Sequence, residues 1–271
     1  MRAALFPLAS LMSVVGASGP ASAAPIDHLP ALRGDYFALT SRSTGSTYHI
    51  YIRLPLDYTE QADKRYPVVY LLDGDSAFPM LAPQHLFMTI DDRTPEAILV
   101  GIAYGGFGPV NKRDRDFGEG APAFEQFLVD QLLPQTEKRV RADPGRRVLV
   151  GQSFGGSFVL WNALSRPGLF WGRIASNPSF RFHADRFARP PARNSGSSGM
   201  LAVVSGTANN PQGRSGAIDW VNRQSAITPG WAVKRFDIEG GTHAADLGRA
   251  YRIALNWMLP PVPEKAPAPA H

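Results

Sequence analysis

The sequence predicts an α/β fold, a mostly parallel sheet with helices on both faces, through two recurring patterns and the order in which they alternate. Short, nearly continuous apolar runs of strand length recur along the chain, as strands buried on both faces require, and stretches of helical periodicity lie between them. Residues 48–54 (YHIYIRL) alternate with period two, and 67–72 (PVVYLL) form an apolar run closed by Asp73-Gly74. The runs at 97–103, 147–150, 173–175 and 201–204 repeat the form, and 232–238 (AVKRFDI) reads as a further strand. Between them, Phe124, Phe127, Leu128 and Leu132 share one helical face, and Leu247, Ala250, Tyr251, Ala254, Leu255 and Met258 make a second stripe. No internal repeat is present. A ligand site in such a sheet is expected beyond the carboxyl ends of the strands, in strand-to-helix loops.

The 271 residues, 44% hydrophobic and 19% charged, suit one domain of this class and exclude disordered, collagen-like and coiled-coil chains. With no cysteine there is no disulfide, thiolate nucleophile or iron–sulfur cluster, and no H-E-x-x-H or other metal-ligand spacing occurs, so no cofactor is expected. A formal charge of +5 raises nucleic acid as a partner, but the basic residues are scattered. The densest stretch, 181–193, is broken by Asp185, Pro190 and Pro191, and a solvated basic face is expected instead. Residues 1–23 read as a cleavable signal peptide, with Arg2, an apolar stretch from 3 to 16, and Ala21-Ser22-Ala23. That stretch is interrupted by Pro7 and too short to span a bilayer, so a periplasmic or secreted protein without membrane insertion is expected. The domain would then cover 24–259, with the Pro- and Ala-rich 260–271 as a disordered tail.

The strongest chemical signal is Gly151-Gln152-Ser153-Phe154-Gly155, between the strand RRVLV and the helical GGSFVLWNAL. Gly-x-Ser-x-Gly alone is weak in a chain with 26 glycines; its place at a strand-to-helix turn gives it meaning. A sharp turn there strains the serine backbone, small residues two before and two after let the chain pass, and the new helix points its N-terminus at Oγ. The third glycine of a dinucleotide loop and the lysine of a P-loop are both missing at this turn. Ser153 is therefore the candidate nucleophile, with the Phe154 amide as an oxyanion donor.

A serine hydroxyl needs a base. Of the six histidines, His28 and His271 lie near the ends, His49 in an early strand, His85 in the helix after Gly74 and His183 in the basic stretch. His243 follows the strand at 232–238 and Gly240-Gly241 and precedes the last helix, the junction where the order Ser, acid, His places the base. A helix-capping histidine is the alternative.

On these residues the chain resembles the Putative esterase family of α/β-hydrolases, which includes esterase D, siderophore trilactone esterases and secreted mycolyltransferases, and its pattern is nearest to the periplasmic siderophore esterases. The resemblance covers about residues 48–259 and is carried by YPVVYLLDG, ILVGIAY, the stretch from FLVDQLLPQTEKRV through the elbow to LSRPGLF, and GGTHAADLGRAYRIALNWML. It implies the α/β-hydrolase fold, Ser153 as nucleophile, His243 as general base, and the amides of Phe154 and Asp75 as the oxyanion hole. Arg113-Asp114-Arg115-Asp116-Phe117 is similar to the family's Arg-x-x-Asp-aromatic stretch, without the Thr-Pro that follows it there, and makes Arg113 and Arg115 candidate substrate-binding residues.

The acid departs from that pattern. Gly206-Thr207-Ala208-Asn209-Asn210 is similar to the Gly-Thr-Ala-Asp-Asn that bears the triad aspartate in esterase D relatives, with Asn209 in the aspartate's place. An amide oxygen can accept the Nδ1 proton of His243 but brings no charge to an imidazolium. The family's periplasmic siderophore esterases look like Ser-His dyads, so the departure favours that branch; Asp219 and Asp246 are the substitute acids. The expected function is ester hydrolysis through an acyl-enzyme on a small-molecule ester. Arg113, Arg115, Arg181, Arg186 and Arg189 favour anionic catecholate siderophore esters. Feruloyl or acetyl esters, a transferase variant and a catalytically inactive binding module are the alternatives.

Overall fold

The computed structural model describes residues 29–180, 199–227 and 231–263; the expected signal peptide, the basic stretch 181–193 and the end of the expected tail lie outside the described residues. β1 (Gly34–Thr40) and β2 (Thr47–Arg53) form an antiparallel hairpin, and β2 pairs antiparallel with β4 (Ile98–Ala103). β3 (Tyr66–Leu71), β5 (Ala142–Gln152), β6 (Gly172–Ser176), β7 (Gly199–Gly206) and β8 (Trp231–Ile238) join β4 in parallel. The eight strands make one sheet in the order β1-β2-β4-β3-β5-β6-β7-β8.

All six residues of β3 and of β4 are buried, and successive side chains enter opposite cores. Val68 and Tyr70 pack with Phe124, Phe127 and Phe158 beneath α3 (Ala121–Phe127), α4 (Leu133–Arg139), α5 (Phe154–Ser165) and α6 (Pro211–Ile227). Val69 and Leu71 pack on the other face with Phe78 and Leu81 of α1 (Gly74–Asp91) and with the buried stripe of α7 (Leu247–Met258). A short α2 (Arg113–Phe117) lies between α1 and α3 in the chain. Packing rather than propensity holds α5. Its Gly155 and Gly156 each cost about 1 kcal/mol relative to alanine, whereas the fully buried Phe158, Val159 and Leu160 contribute roughly 1.5–3 kcal/mol apiece.

Two features differ from the sequence reading. β1 went unrecognised because it is an edge strand with only Phe37 and Leu39 buried among its seven residues. The helical face read through 124–132 is broken by a π-turn at Leu128–Leu132 ahead of α4. Pro134 has no amide to return to the preceding turn, and the wider register before it turns Leu128, Leu132 and Leu133 all inward. Beyond residue 259 the chain still touches the domain, the Val262 amide donating to the Arg93 carbonyl at 3.0 Å. Among the described residues no helix is long and apolar enough to cross a membrane.

Candidate active site

β5 delivers Ser153 at its carboxyl end in a strained conformation, φ 56° and ψ −115°. A Cβ at Gly151 would lie 2.3 Å from the carbonyl group of Gly155, so only glycine lets the chain double back there. Neighbours hold the turn: the Ser153 amide donates to the Ser176 carbonyl at 3.0 Å, and its carbonyl accepts from the amides of Ser157 (2.9 Å) and Ser179 (3.2 Å).

The candidate base arrives from the loop after β8. His243 Nε2 lies 2.9 Å from Ser153 Oγ, and Nδ1 lies 3.1 Å from Asn209 Oδ1. The loop carrying Asn209 is zipped to the one carrying His243, with the Thr207 amide on the Ile238 carbonyl (2.9 Å) and the Ala208 amide on the Gly241 carbonyl (2.8 Å). A Cβ at Gly206 would meet the Gly241 carbonyl oxygen at 2.2 Å, which is why that position is glycine. His243 is half-buried; burial first, and the charge of Arg113 second, hold its pKa below the ordinary histidine value.

Neither substitute acid bonds to the imidazole. The Asp246 carboxylate accepts the Thr242 amide and pairs with Arg249 at 3.0 Å, bracing the loop from behind, and Asp219 is exposed on α6.

Asp75 stands in the first turn of α1. Its carboxylate accepts the amides of Tyr104 (2.7 Å), Gly105 (2.9 Å) and Gly106 (2.9 Å), tying the loop after β4 to the helix start. Asp73, at φ 54°, is gripped by Arg113 through Nε–Oδ1 (2.7 Å) and Nη2–Oδ2 (3.0 Å). The Arg113 guanidinium lies 5.4 Å from the centre of the Phe154 ring. Arg113 and Arg115, the expected substrate-binding residues, both have protein partners in this geometry. The fork of Arg113 is occupied by Asp73, so its charge pins the Asp75 loop against the elbow. Arg115 faces the β1–β2 hairpin, bonded to Asp116 (2.6 Å), Ser46 (2.9 Å) and the Thr44 carbonyl (3.3 Å).

A cleft of about 810 Å³ opens beside Ser153 and His243, with Phe154, Pro178 and Phe180 as its apolar lining and Asn210 and Gln212 among its polar lining. Among the described residues its lining carries no Asp, Glu, Lys or Arg. Arg181, Arg186 and Arg189 lie outside the described residues, after Phe180 in sequence. Among the described residues no group of three or more His, Cys, Asp or Glu could hold a metal ion.

Two residues that sequence reasoning missed complete the site. Gln152 donates its side-chain amide to the His243 carbonyl, and Asn177 donates to the carbonyls of Thr242 and His243, 3.1 Å each. The usable signal was position: both stand at the carboxyl ends of parallel strands, where such sheets assemble their sites.

A family profile described as Putative esterase matches residues 41–237. The ferri-bacillibactin esterase BesA of Bacillus subtilis (strain 168) is 32% identical over 172 residues, 54% of this chain and 58% of BesA. The apo-salmochelin esterase of Escherichia coli O6:H1 is 28% identical over 166 residues, 53% of this chain and 51% of that protein. The chain thus spans about half the length of these curated relatives. Among solved structures, BES protein from Bacillus cereus superposes with a TM-score of 0.73 at 21% identity, covering 83% of this chain and 94% of that one. Siderophore hydrolase EstB from Aspergillus nidulans gives 0.73 at 21% identity, over 85% and 96%. The shared architecture is the α/β-hydrolase fold.

Proposed function

From a chain that belongs to the Putative esterase family, we propose an exported serine carboxylic-ester hydrolase that works through an acyl-enzyme. The observation that carries this reading is His243 Nε2 at 2.9 Å from Ser153 Oγ, at a strained strand-to-helix turn that opens on a cleft. His243 takes the Ser153 proton as Oγ attacks the ester carbonyl, and the carbonyl π pair moves onto oxygen. The resulting oxyanion forms against the amides of Phe154 and Asp75, at the N-termini of α5 and α1, whose dipoles favour negative charge. The imidazolium then protonates the leaving alcohol, and water, deprotonated by His243, releases the acid from Ser153. Asn209 orients the imidazole without adding charge to it.

For substrate, the names of the curated relatives favour siderophore esters, and the lining of Phe154, Pro178 and Phe180 offers apolar faces to an aromatic acyl group. One observation favours a second reading, an uncharged aromatic ester such as a feruloyl ester: the described lining of the cleft carries no cation.

The test is labelling by a fluorophosphonate, with the adduct mapped to Ser153 by mass spectrometry, followed by turnover of a triscatecholate lactone beside feruloyl and p-nitrophenyl esters. A protein that neither labels nor turns over any of these is no serine esterase. Export is checked separately, by N-terminal sequencing of the mature protein, which should begin at Ala24.

A further inference from the structure

We infer that Asn177 is a positioning residue that holds the proton of His243 on Nδ1; the inference rests on the Ser153–His243 reading above. Asn177 follows β6 at φ 40° and is 1% exposed. Both ends of its side-chain amide meet backbone groups of fixed character. Nδ2 faces the carbonyl oxygens of Thr242 and His243, so it donates, and Oδ1 faces the Gly206 amide at 2.9 Å, so it accepts. Flipped, the side chain would set donor against donor and acceptor against two acceptors in a buried setting, at about 1–3 kcal/mol for each group left unsatisfied.

That fixed orientation passes to the next amide. Asn209 Nδ2 lies 3.1 Å from the same Asn177 Oδ1 and donates to it, while Asn209 Oδ1 accepts the Asn210 amide at 2.8 Å. Asn209 Oδ1 is therefore the atom facing His243 Nδ1 at 3.1 Å, and an acceptor there calls for an Nδ1–H. Nε2 is left with the lone pair that faces Ser153 Oγ, the tautomer that can take the serine proton. A carboxylate at 209 would accept the Nδ1 proton with either oxygen. An amide does so in one of two orientations, and in the other its NH2 group would leave the proton on Nε2. Asparagine at 209 thus requires further groups to choose the orientation; Asn177 Oδ1 meets that requirement on the Nδ2 side, and the backbone and side-chain amides of Asn210 donate to Asn209 Oδ1 on the other.

The experiment is a double-variant cycle in the full chain, with kcat and KM for p-nitrophenyl acetate and Tm for Asn177→Ala, Asn209→Asp and the pair, plus 15N shifts of the His243 ring. Asn177→Ala is expected to lower kcat about tenfold with KM within about twofold, and to lower it less than about threefold in the Asn209→Asp background, which has no amide orientation to lose. Equal losses in the two backgrounds would make Asn177 mere support for the loop and overturn the inference. The ring shifts decide independently of folding or turnover of the variants: Nδ1–H in the wild-type protein is expected, and Nε2–H overturns the inference. Failure of the esterase reading is distinguishable, because it appears as undiminished turnover in Ser153→Ala, which the ring tautomer does not affect.

Discussion

Around the proposed oxyanion donor at the start of α1 the supporting groups are charged, Arg113 gripping Asp73 through two bonds of 2.7 and 3.0 Å and the Asp75 carboxylate gathering three backbone amides, whereas His243, the proposed base, is held by the neutral amides of Asn209, Asn177 and Gln152. Charge-assisted hydrogen bonds are roughly twice as strong as neutral ones, which suits a loop whose task is to keep a backbone amide in place. Beside the base, a charge would also change protonation. A carboxylate within reach of Nδ1 would raise the His243 pKa, while here burial and Arg113 lower it with no opposing anion in contact among the described residues. For the proposed base this means a pKa below the ordinary histidine value and less help when it becomes cationic.

The comparison can be broken outright at the groups both sides serve. Ser153→Ala should lower kcat for p-nitrophenyl acetate by roughly 10³-fold or more with Tm almost unchanged, and His243→Ala by a similar factor. A double variant much slower than either single one would show that the two do not act as a unit.

Removing charge from the oxyanion side is the next largest effect. Arg113→Gln leaves Asp73, whose carboxyl burial already pushes up, without its partner, and releases the Asp75 loop. Deleting one oxyanion donor typically costs about 10²–10³ in kcat; displacing one should cost about 10- to 100-fold, with a lower Tm. The same variant removes a cation that depresses the His243 pKa, so the acid limb of kcat/KM should move to higher pH. An acid limb that stays in place would separate Arg113 from the base electrostatically.

Adding charge to the base side sharpens the comparison. In the wild-type protein kcat/KM should rise with pH through a value below the ordinary histidine range, because imidazolium cannot accept the serine proton, and be level by neutral pH. Asn209→Asp should move that limb upward, as a carboxylate favours the imidazolium. Its gain in kcat on the alkaline plateau should stay under about threefold, since the new oxygen would oppose Asn177 Oδ1 across 3.1 Å. A large gain from Asn209→Asp alone would mean that Asn177 yields freely. The smallest effect belongs to Arg115→Ala, outside both sides; its bonds run to Asp116 and the β1–β2 hairpin, and KM for an anionic ester should change less than about twofold.

What was legible in the sequence was local. Apolar runs and alternation placed seven of the eight strands, the buried stripe from Leu247 to Met258 placed the last helix, and Gly151-Gln152-Ser153-Phe154-Gly155 marked the elbow, because each depends on neighbours within a few residues. The edge strand β1 and the π-turn at Leu128–Leu132 were not, since two buried residues make a faint alternation and a one-residue change of register hides inside a helical stripe. The support of the site is of another kind. Arg113 lies 40 residues from Asp73, and Asn177 lies 29 from Gly206, 32 from Asn209 and 66 from His243. The sequence alone determined that a serine at a strained turn and a histidine in the last strand-to-helix loop would be present. Which arginine grips the oxyanion loop, and which way the amide behind His243 points, was decided by tertiary structure. The parallel order β6-β7-β8 sets three strand ends side by side, and only there do Asn177, Asn209 and His243 come within hydrogen-bond reach.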